Sequence, residues 1–254
     1  MPRGKRAAAG QASMLEVRAK TAPCVPEIRR AVTDWRERGY KGATETTRLL
    51  LNYWFRPERG SFESTGAHRL ANGGFFQYHQ SQREAMETLV YLYEVASIRR
   101  HKQLVETFVP READNLRLLQ YDDFARYCIK MATGSGKTKV MALAVAWQYF
   151  NAVVEARDDY AKTSLIIAPN VIVFERLRTD FESGRIFRTD PIIPKELSIY
   201  WDLDCYMRGE SERASSQGAL YLTNVQQFHE RGPANDEDEP DEMTAVMGSK
   251  PGAS

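Results

Sequence analysis

The chain has 254 residues, with 35 Lys and Arg against 34 Asp and Glu, 43% apolar residues and 27% charged ones. That length and apolar content suit one large or two small folded domains. They exclude a wholly disordered chain, which needs low hydrophobicity with high net charge. No uninterrupted apolar run approaches the ~20 residues that span a bilayer, so no membrane-spanning helix is expected; the basic start has no apolar segment after it, so no secretory leader is expected either.

Cys24, Cys128 and Cys205 are widely spaced, with no C-x-x-C pair and no nearby His at metal-ligand spacing. A disulfide framework or zinc site is therefore not expected, and a reducing, cytoplasmic compartment is. The net charge of +1 is uninformative, but its distribution is uneven. Residues 1–40 carry nine Lys and Arg against four Asp and Glu, and Asp236–Glu242 is an acidic run broken only by Pro240. A basic start suits nucleic acid, although a solvated terminus is the commoner reason for one.

In chain order, residues 1–21 read as a flexible basic start and 22–120 as a helical N-terminal region, with no internal repeat of solenoid length. Pro26–Arg38 places Ile28, Val32 and Trp35 on one helical face, and Gly39 ends it. Thr44–Phe55 is a second helix with Leu50 and Trp54 one turn apart, and 56–74 reads as a loop. A third helix runs from Ser81 to about Ile98. It opens on a Ser81–Glu84 capping box and carries an apolar stripe of Ala85, Leu89, Leu92 and Ala96. Residues 99–120 yield no clear order.

Residues 121–230 change character. Tyr127–Ile129, Leu165–Ala168, Ile199–Trp201 and Leu220–Thr223 read as strands; Lys137–Val154 and Val171–Phe181 read as helices. Strands alternating with helices predict an α/β domain with a parallel sheet covered on both faces. Residues 231–254 read as an unstructured acidic tail.

One motif dominates. Met131-Ala132-Thr133-Gly134-Ser135-Gly136-Lys137-Thr138 lies between a predicted strand and a predicted helix, which is the context of a P-loop. There, backbone N–H groups cradle phosphates, Lys137 reaches the β and γ phosphates of ATP, and the Thr138 hydroxyl ligates Mg²⁺. Gly134 and Gly136 let the backbone approach the anion. Met131 stands where the strict pattern has Gly, and a Gly-rich turn before a helix can also arise by chance.

The form A-T-G-S-G-K-T resembles the first motif of superfamily-two helicases, of the DEAD/DEAH type. Ala168-Pro169-Asn170 resembles motif Ia and Leu222-Thr223-Asn224-Val225-Gln226-Gln227-Phe228 resembles motif Ic. In that family both touch the nucleic-acid backbone. Gln82 resembles the glutamine that reads adenine, a task an amide suits because it both donates and accepts. Each has an ordinary alternative. Pro169-Asn170 is common turn chemistry, Gln82 can be a solvated helix residue, and Thr223-Asn224 can cap the next helix.

More narrowly, residues 22–230 resemble the amino-terminal part of the helicase subunits of type III restriction enzymes. The likeness rests on Gly42-Ala43-Thr44-Glu45-Thr46-Thr47, Gln82-Arg83-Glu84-Ala85, the P-loop and Thr223-Asn224-Val225-Gln226-Gln227-Phe228. It implies a RecA-like P-loop sheet, an incomplete first motor domain, ATP and Mg²⁺ as cofactors, double-stranded DNA as partner, and a methyltransferase or specificity subunit as a further one. Motif II needs an apolar strand ending in Asp-Glu. The only Asp-Glu pairs beyond Thr223 fall in Asp236–Glu242 without such a strand. The expectation is a fragment that binds nucleotide and DNA but has little turnover of its own; another P-loop enzyme, such as a small kinase, is the remaining alternative.

Other residues give less. His68, His79, His101 and His229 are scattered and expected at the surface. Phe75, Phe76 and Tyr78 are expected in the core, with stacking on adenine as the alternative.

Overall fold

The computed structural model describes residues 24–55, 67–70, 73–109, 124–207 and 216–228; the expected basic start and acidic tail lie outside them. In chain order the elements are α1 (Val25–Glu37), α2 (Glu45–Phe55), β1 (His68–Arg69), β2 (Phe75–Phe76), α3 (Gln80–Val90), α4 (His101–Phe108), α5 (Lys137–Val154), β3 (Thr163–Ala168), α6 (Val171–Phe181), α7 (Arg185–Thr189), β4 (Leu203–Met207) and β5 (Gly218–Asn224). The chain divides into two compact units, Met1–Ala43 with Glu87–Ile129, and Thr44–Met86 with Lys130–Ser254.

The first unit is helical. Ile28 and Val32 of α1 pack with Leu92, Ile98 and Phe108. After α1 the backbone turns through Gly39 and Tyr40, both at positive φ, and the Tyr40 N–H returns to the Trp35 carbonyl at 3.0 Å. The fully buried Glu87 carboxylate accepts from Arg36 Nε at 2.8 and 3.0 Å and from the Tyr40 hydroxyl at 2.5 Å. Burial of a carboxylate is tolerated only with such partners. After α3 the helix widens into one π turn, Tyr91–Val95.

Three sequence expectations need correction in and around this unit. Residues 99–120 contain a helix after all: α4 buries Phe108 and packs Leu104 against the core cluster, too few apolar positions to announce it. Tyr127–Ile129 pairs with no strand among the described residues; the Tyr127 ring packs on the helical cluster and its hydroxyl donates to the Ile98 carbonyl. The third helix starts one residue before Ser81, so the residue that reaches back to its cap is Gln82, its Oε1 accepting from the His79 N–H at 2.8 Å.

The second unit carries the sheet. The three strands are parallel in the order β3-β5-β4, with Ala168 opposite Asn224 and Leu165 and Tyr206 opposite Tyr221. β5 is central and almost wholly buried, as a strand covered on both faces should be. α6 packs on β3 and β5. Ile199–Trp201 is not a strand: Lys195–Tyr200 is a 3₁₀ turn, Ile199 is 84% exposed, and the strand begins two residues later. The 56–74 loop also contains more order than expected, because His68–Arg69 pairs antiparallel with Phe75–Phe76. His68 is buried there rather than exposed, against the Tyr53 and Tyr78 rings.

The long helix α5 ties this unit together. Its Tyr149 and Phe150 meet Trp201, which in turn meets Phe187. The Tyr149 hydroxyl donates to the Tyr200 carbonyl at 2.8 Å and accepts from the Asp202 N–H at 3.0 Å, fixing the chain as it enters β4. Gly218 sits against the same ring; a Cβ there would stand 2.6 Å from Tyr149 Cε2 and 2.8 Å from the Lys162 carbonyl.

α2 is joined to α5 by polar bonds. Thr44 Oγ1 caps α2 by accepting from the Thr47 N–H at 3.0 Å and donates to Asn151 Oδ1 at 2.6 Å. Asn151 Nδ2 donates to Thr47 Oγ1 and to the Trp147 carbonyl, the Trp147 indole N–H reaches Thr47 Oγ1, and Glu155 accepts from the Thr46 N–H. Thr46, Thr47 and Asn151 are all buried. Thr44-Glu45-Thr46-Thr47 is thus the seam that seats α2 on the helix of the phosphate loop.

Candidate nucleotide-binding site

Met131–Thr138 forms a tight loop opening into α5. Gly134 lies at φ +80° and Gly136, immediately before the helix, at φ +76°. The Ala132 carbonyl gathers the loop, accepting from Ser135 Oγ and from Lys137 Nζ, each at 2.7 Å. Thr133 and Gly134 make the exposed crest, and Thr138 is half-buried in the first helical turn. The first N–H groups of a helix such as α5 have no partner within it, and the positive end of its dipole would favour an anion there. The strand expected to lead into this loop is missing: 125–132 is irregular backbone.

Gln82 reaches the loop from α3. Its Nε2 donates to the Ser135 carbonyl at 3.2 Å and the Gly136 carbonyl at 3.4 Å, and the residue is 1% exposed. A Cβ on Gly136 would lie 2.1 Å from that nitrogen. Beside it opens a cleft of about 350 Å³, lined by Phe75, Phe76, His79, Gln82, Gly134, Gly136 and Lys139.

The aromatic residues divide. Tyr78 is in the core, as expected, with its hydroxyl donating to the Pro191 carbonyl at 3.2 Å. Burial first, and the Asp190 charge second, push its phenol well above the ordinary value. Phe75 is not core: it is 67% exposed at the cleft, with Phe76 half-buried beside it. Lys139 pairs with Asp190 and holds its ammonium 4.7 Å from the centre of the Phe76 ring. The sequence reading missed Lys139 and Asp190, and it gave a place at the site to Phe75 only as the alternative to the core; the one available signal for Lys139 was a second lysine directly after Thr138.

The strand-end residues fall together at one end of the sheet, since Ala168 pairs with Asn224. Pro169 and Asn170 are exposed, and Asn170 Oδ1 caps α6 by accepting from the Val173 N–H at 2.9 Å. Thr223 and Asn224 are buried. Thr223 Oγ1 donates to Gln227 Oε1 at 2.5 Å, and Asn224 Oδ1 accepts from the Gln227 N–H at 3.3 Å at the start of a 3₁₀ turn, Val225–Phe228. The capping role foreseen as the alternative for Thr223-Asn224 is therefore made, and Asn170 caps a helix as well. The Asp236–Glu242 run lies outside the described residues.

A phosphate loop opening a helix, beside a parallel sheet whose strand ends adjoin, defines a RecA-like P-loop fold. Residues 75–247, more than half of the chain, match the family described as type III restriction enzyme, res subunit, and the chain belongs to that family. Its function at family level is that of a helicase-like ATP-binding protein. No curated protein and no solved structure matches the chain. Among the described residues, no helix is long and apolar enough to cross a membrane.

Proposed function

We propose that the chain is the Mg-ATP-binding part of a DNA helicase or translocase of a restriction system, acting in the cytoplasm. The observation that carries this reading is the loop itself. Lys137 rests on a neutral carbonyl, that of Ala132, which a phosphate outcompetes for an ammonium. A Cβ on Gly134 would meet nothing within 4 Å, so the crest is open to an anion. These residues fit the group: Ala132, Thr133, Gly134, Ser135, Gly136 and Lys137 would hold the phosphates, and the Thr138 hydroxyl would ligate Mg²⁺. Bound Mg²⁺ neutralises phosphate charge. Gln82 stands at the base side of the loop.

Double-stranded DNA would run along the strand ends, with Pro169, Asn170, Thr223 and Asn224 forming the track. The buried pair Thr223-Asn224 would shape that track from beneath rather than contact phosphate by itself. A methyltransferase or specificity subunit would complete the assembly.

Lys137→Ala tests the reading. Losing a charge-assisted hydrogen bond should weaken Mg-ATP binding about tenfold to a hundredfold while leaving the circular dichroism spectrum unchanged. Equal affinity in the folded variant and the parent chain would remove Lys137 from the phosphate site.

A further inference from the structure

The cleft beside the phosphate loop contains a cation that the phosphate cradle does not account for. Lys139 follows Thr138 directly, pairs with Asp190 and lies against the Phe76 ring in the cleft that Phe75, Gln82 and Gly136 also line. Its position is not a matter of side-chain chance. The two carbonyls after Asp190 are pinned, Pro191 by the Tyr78 hydroxyl at 3.2 Å and Ile192 by the Trp54 indole N–H at 2.7 Å. Tyr78 and Trp54 are both buried, so the carboxylate that orients Lys139 stands on a rigid base.

An ammonium carries three donor hydrogens, and Asp190 engages one of them. Gln82 is the reverse case. Its Nε2 already donates to the Ser135 and Gly136 carbonyls, and its Oε1 already accepts from the His79 N–H. The residue is 1% exposed, so its amide is committed to bracing the loop. A base in this cleft therefore meets a donor at Lys139 and an exposed aromatic ring at Phe75.

That pair suits a purine, whose ring nitrogen N7 is an acceptor shared by adenine and guanine and missing from pyrimidines. We infer that Lys139 recognises the purine N7, that Asp190 is its positioning residue, and that Gln82 braces the loop beside them. This rests on the ATP-binding reading above and assigns the base specificity of that site to a lysine outside the phosphate cradle.

The test uses the 254-residue chain and three probes measured by calorimetry: Mg-ATP, Mg-7-deaza-ATP, in which carbon replaces N7, and inorganic tripolyphosphate. The parent chain should bind ATP about tenfold more tightly than 7-deaza-ATP, the value of a hydrogen bond from a charged donor. Lys139→Ala should bind the two nucleotides alike, at the weaker affinity, with tripolyphosphate binding unchanged. Asp190→Asn should reduce the discrimination by a smaller factor. Equal affinity of the parent chain for ATP and 7-deaza-ATP overturns the inference and leaves the ATP-binding reading standing. Loss of tripolyphosphate binding in Lys139→Ala also overturns it, by making Lys139 a phosphate ligand. Failure of the parent chain to bind ATP at all removes the ATP-binding reading and this inference with it.

Discussion

Gly136 shows how two constraints meet in one residue. Its φ of +76° costs any side-chain-bearing residue about 1–2 kcal/mol, and a Cβ there would also displace the Gln82 amide from the Ser135 and Gly136 carbonyls. The two penalties are separable because the Gln82 amide is the movable end of a side chain. Gly136→Ala in the parent chain should cost the backbone strain plus about 1 kcal/mol for the lost hydrogen bonds. In a Gln82→Ala background only the strain should remain. Urea midpoints of the four variants give the coupling directly, and strictly additive effects would show that Gln82 and Gly136 do not interact.

Residues of this kind also mark what the sequence could reveal at the site. Gly134, Gly136, Lys137 and Thr138 were readable because phosphate binding demands those residue types at fixed offsets, whatever surrounds them. Lys139 was not, because its place depends on Asp190, 51 residues away in sequence. Phe75 was foreseen at the site only as an alternative, because its exposure depends on a short hairpin that pairing with His68–Arg69 creates. Gln82 was singled out for its resemblance, but its bonds to His79 and the loop carbonyls came from packing.

At the scale of elements, the seam between α2 and α5 is the clearest case of polar groups setting a position. Asn151 accepts from Thr44 Oγ1 and donates to Thr47 Oγ1 and the Trp147 carbonyl, all in a buried setting. Removing one member strands the others, and an unsatisfied buried polar group costs about 1–3 kcal/mol. Asn151→Ala should therefore lower stability by about 2–4 kcal/mol, with an unchanged denaturant slope, through these lost bonds and the cavity left behind. A shift in midpoint below 0.5 kcal/mol would mean that the network is not what seats α2 on α5.

Helices α1 and α2 were legible because apolar residues recur one turn apart, as in Ile28, Val32 and Trp35, with Gly39 as the stop for α1. Strands were legible where four apolar residues ran together, as in Leu165–Ala168 of β3 and in β5. The triplets Tyr127–Ile129 and Ile199–Trp201 misled for one reason: three apolar residues fit a strand, a 3₁₀ turn or an extended linker equally well. In the structure tertiary partners decide, with Tyr127 captured by the helical cluster and Ile199 left in solvent.

For the molecule as a whole, binding and turnover make different demands. P-loop hydrolysis is mostly positioning and electrostatics, and it needs a phosphate cradle, metal ligands, a group that orients water and an arginine finger. On the proposed reading the described residues would supply the cradle, Lys137 and one metal ligand, Thr138. The Asp-Glu pairs beyond Thr223 all fall in Asp236–Glu242, and the sequence before them has no apolar run of the kind motif II needs. An arginine finger alone is worth roughly 10³–10⁵ in rate in related NTPases. These 254 residues, assayed by themselves, should therefore bind Mg-ATP yet release phosphate at a rate near background, with or without duplex DNA. A phosphate-release assay across DNA concentrations is the measurement. A rate well above background that DNA raises and Lys137→Ala abolishes would overturn the expectation, and would assign the missing carboxylates to the Asp236–Glu242 run.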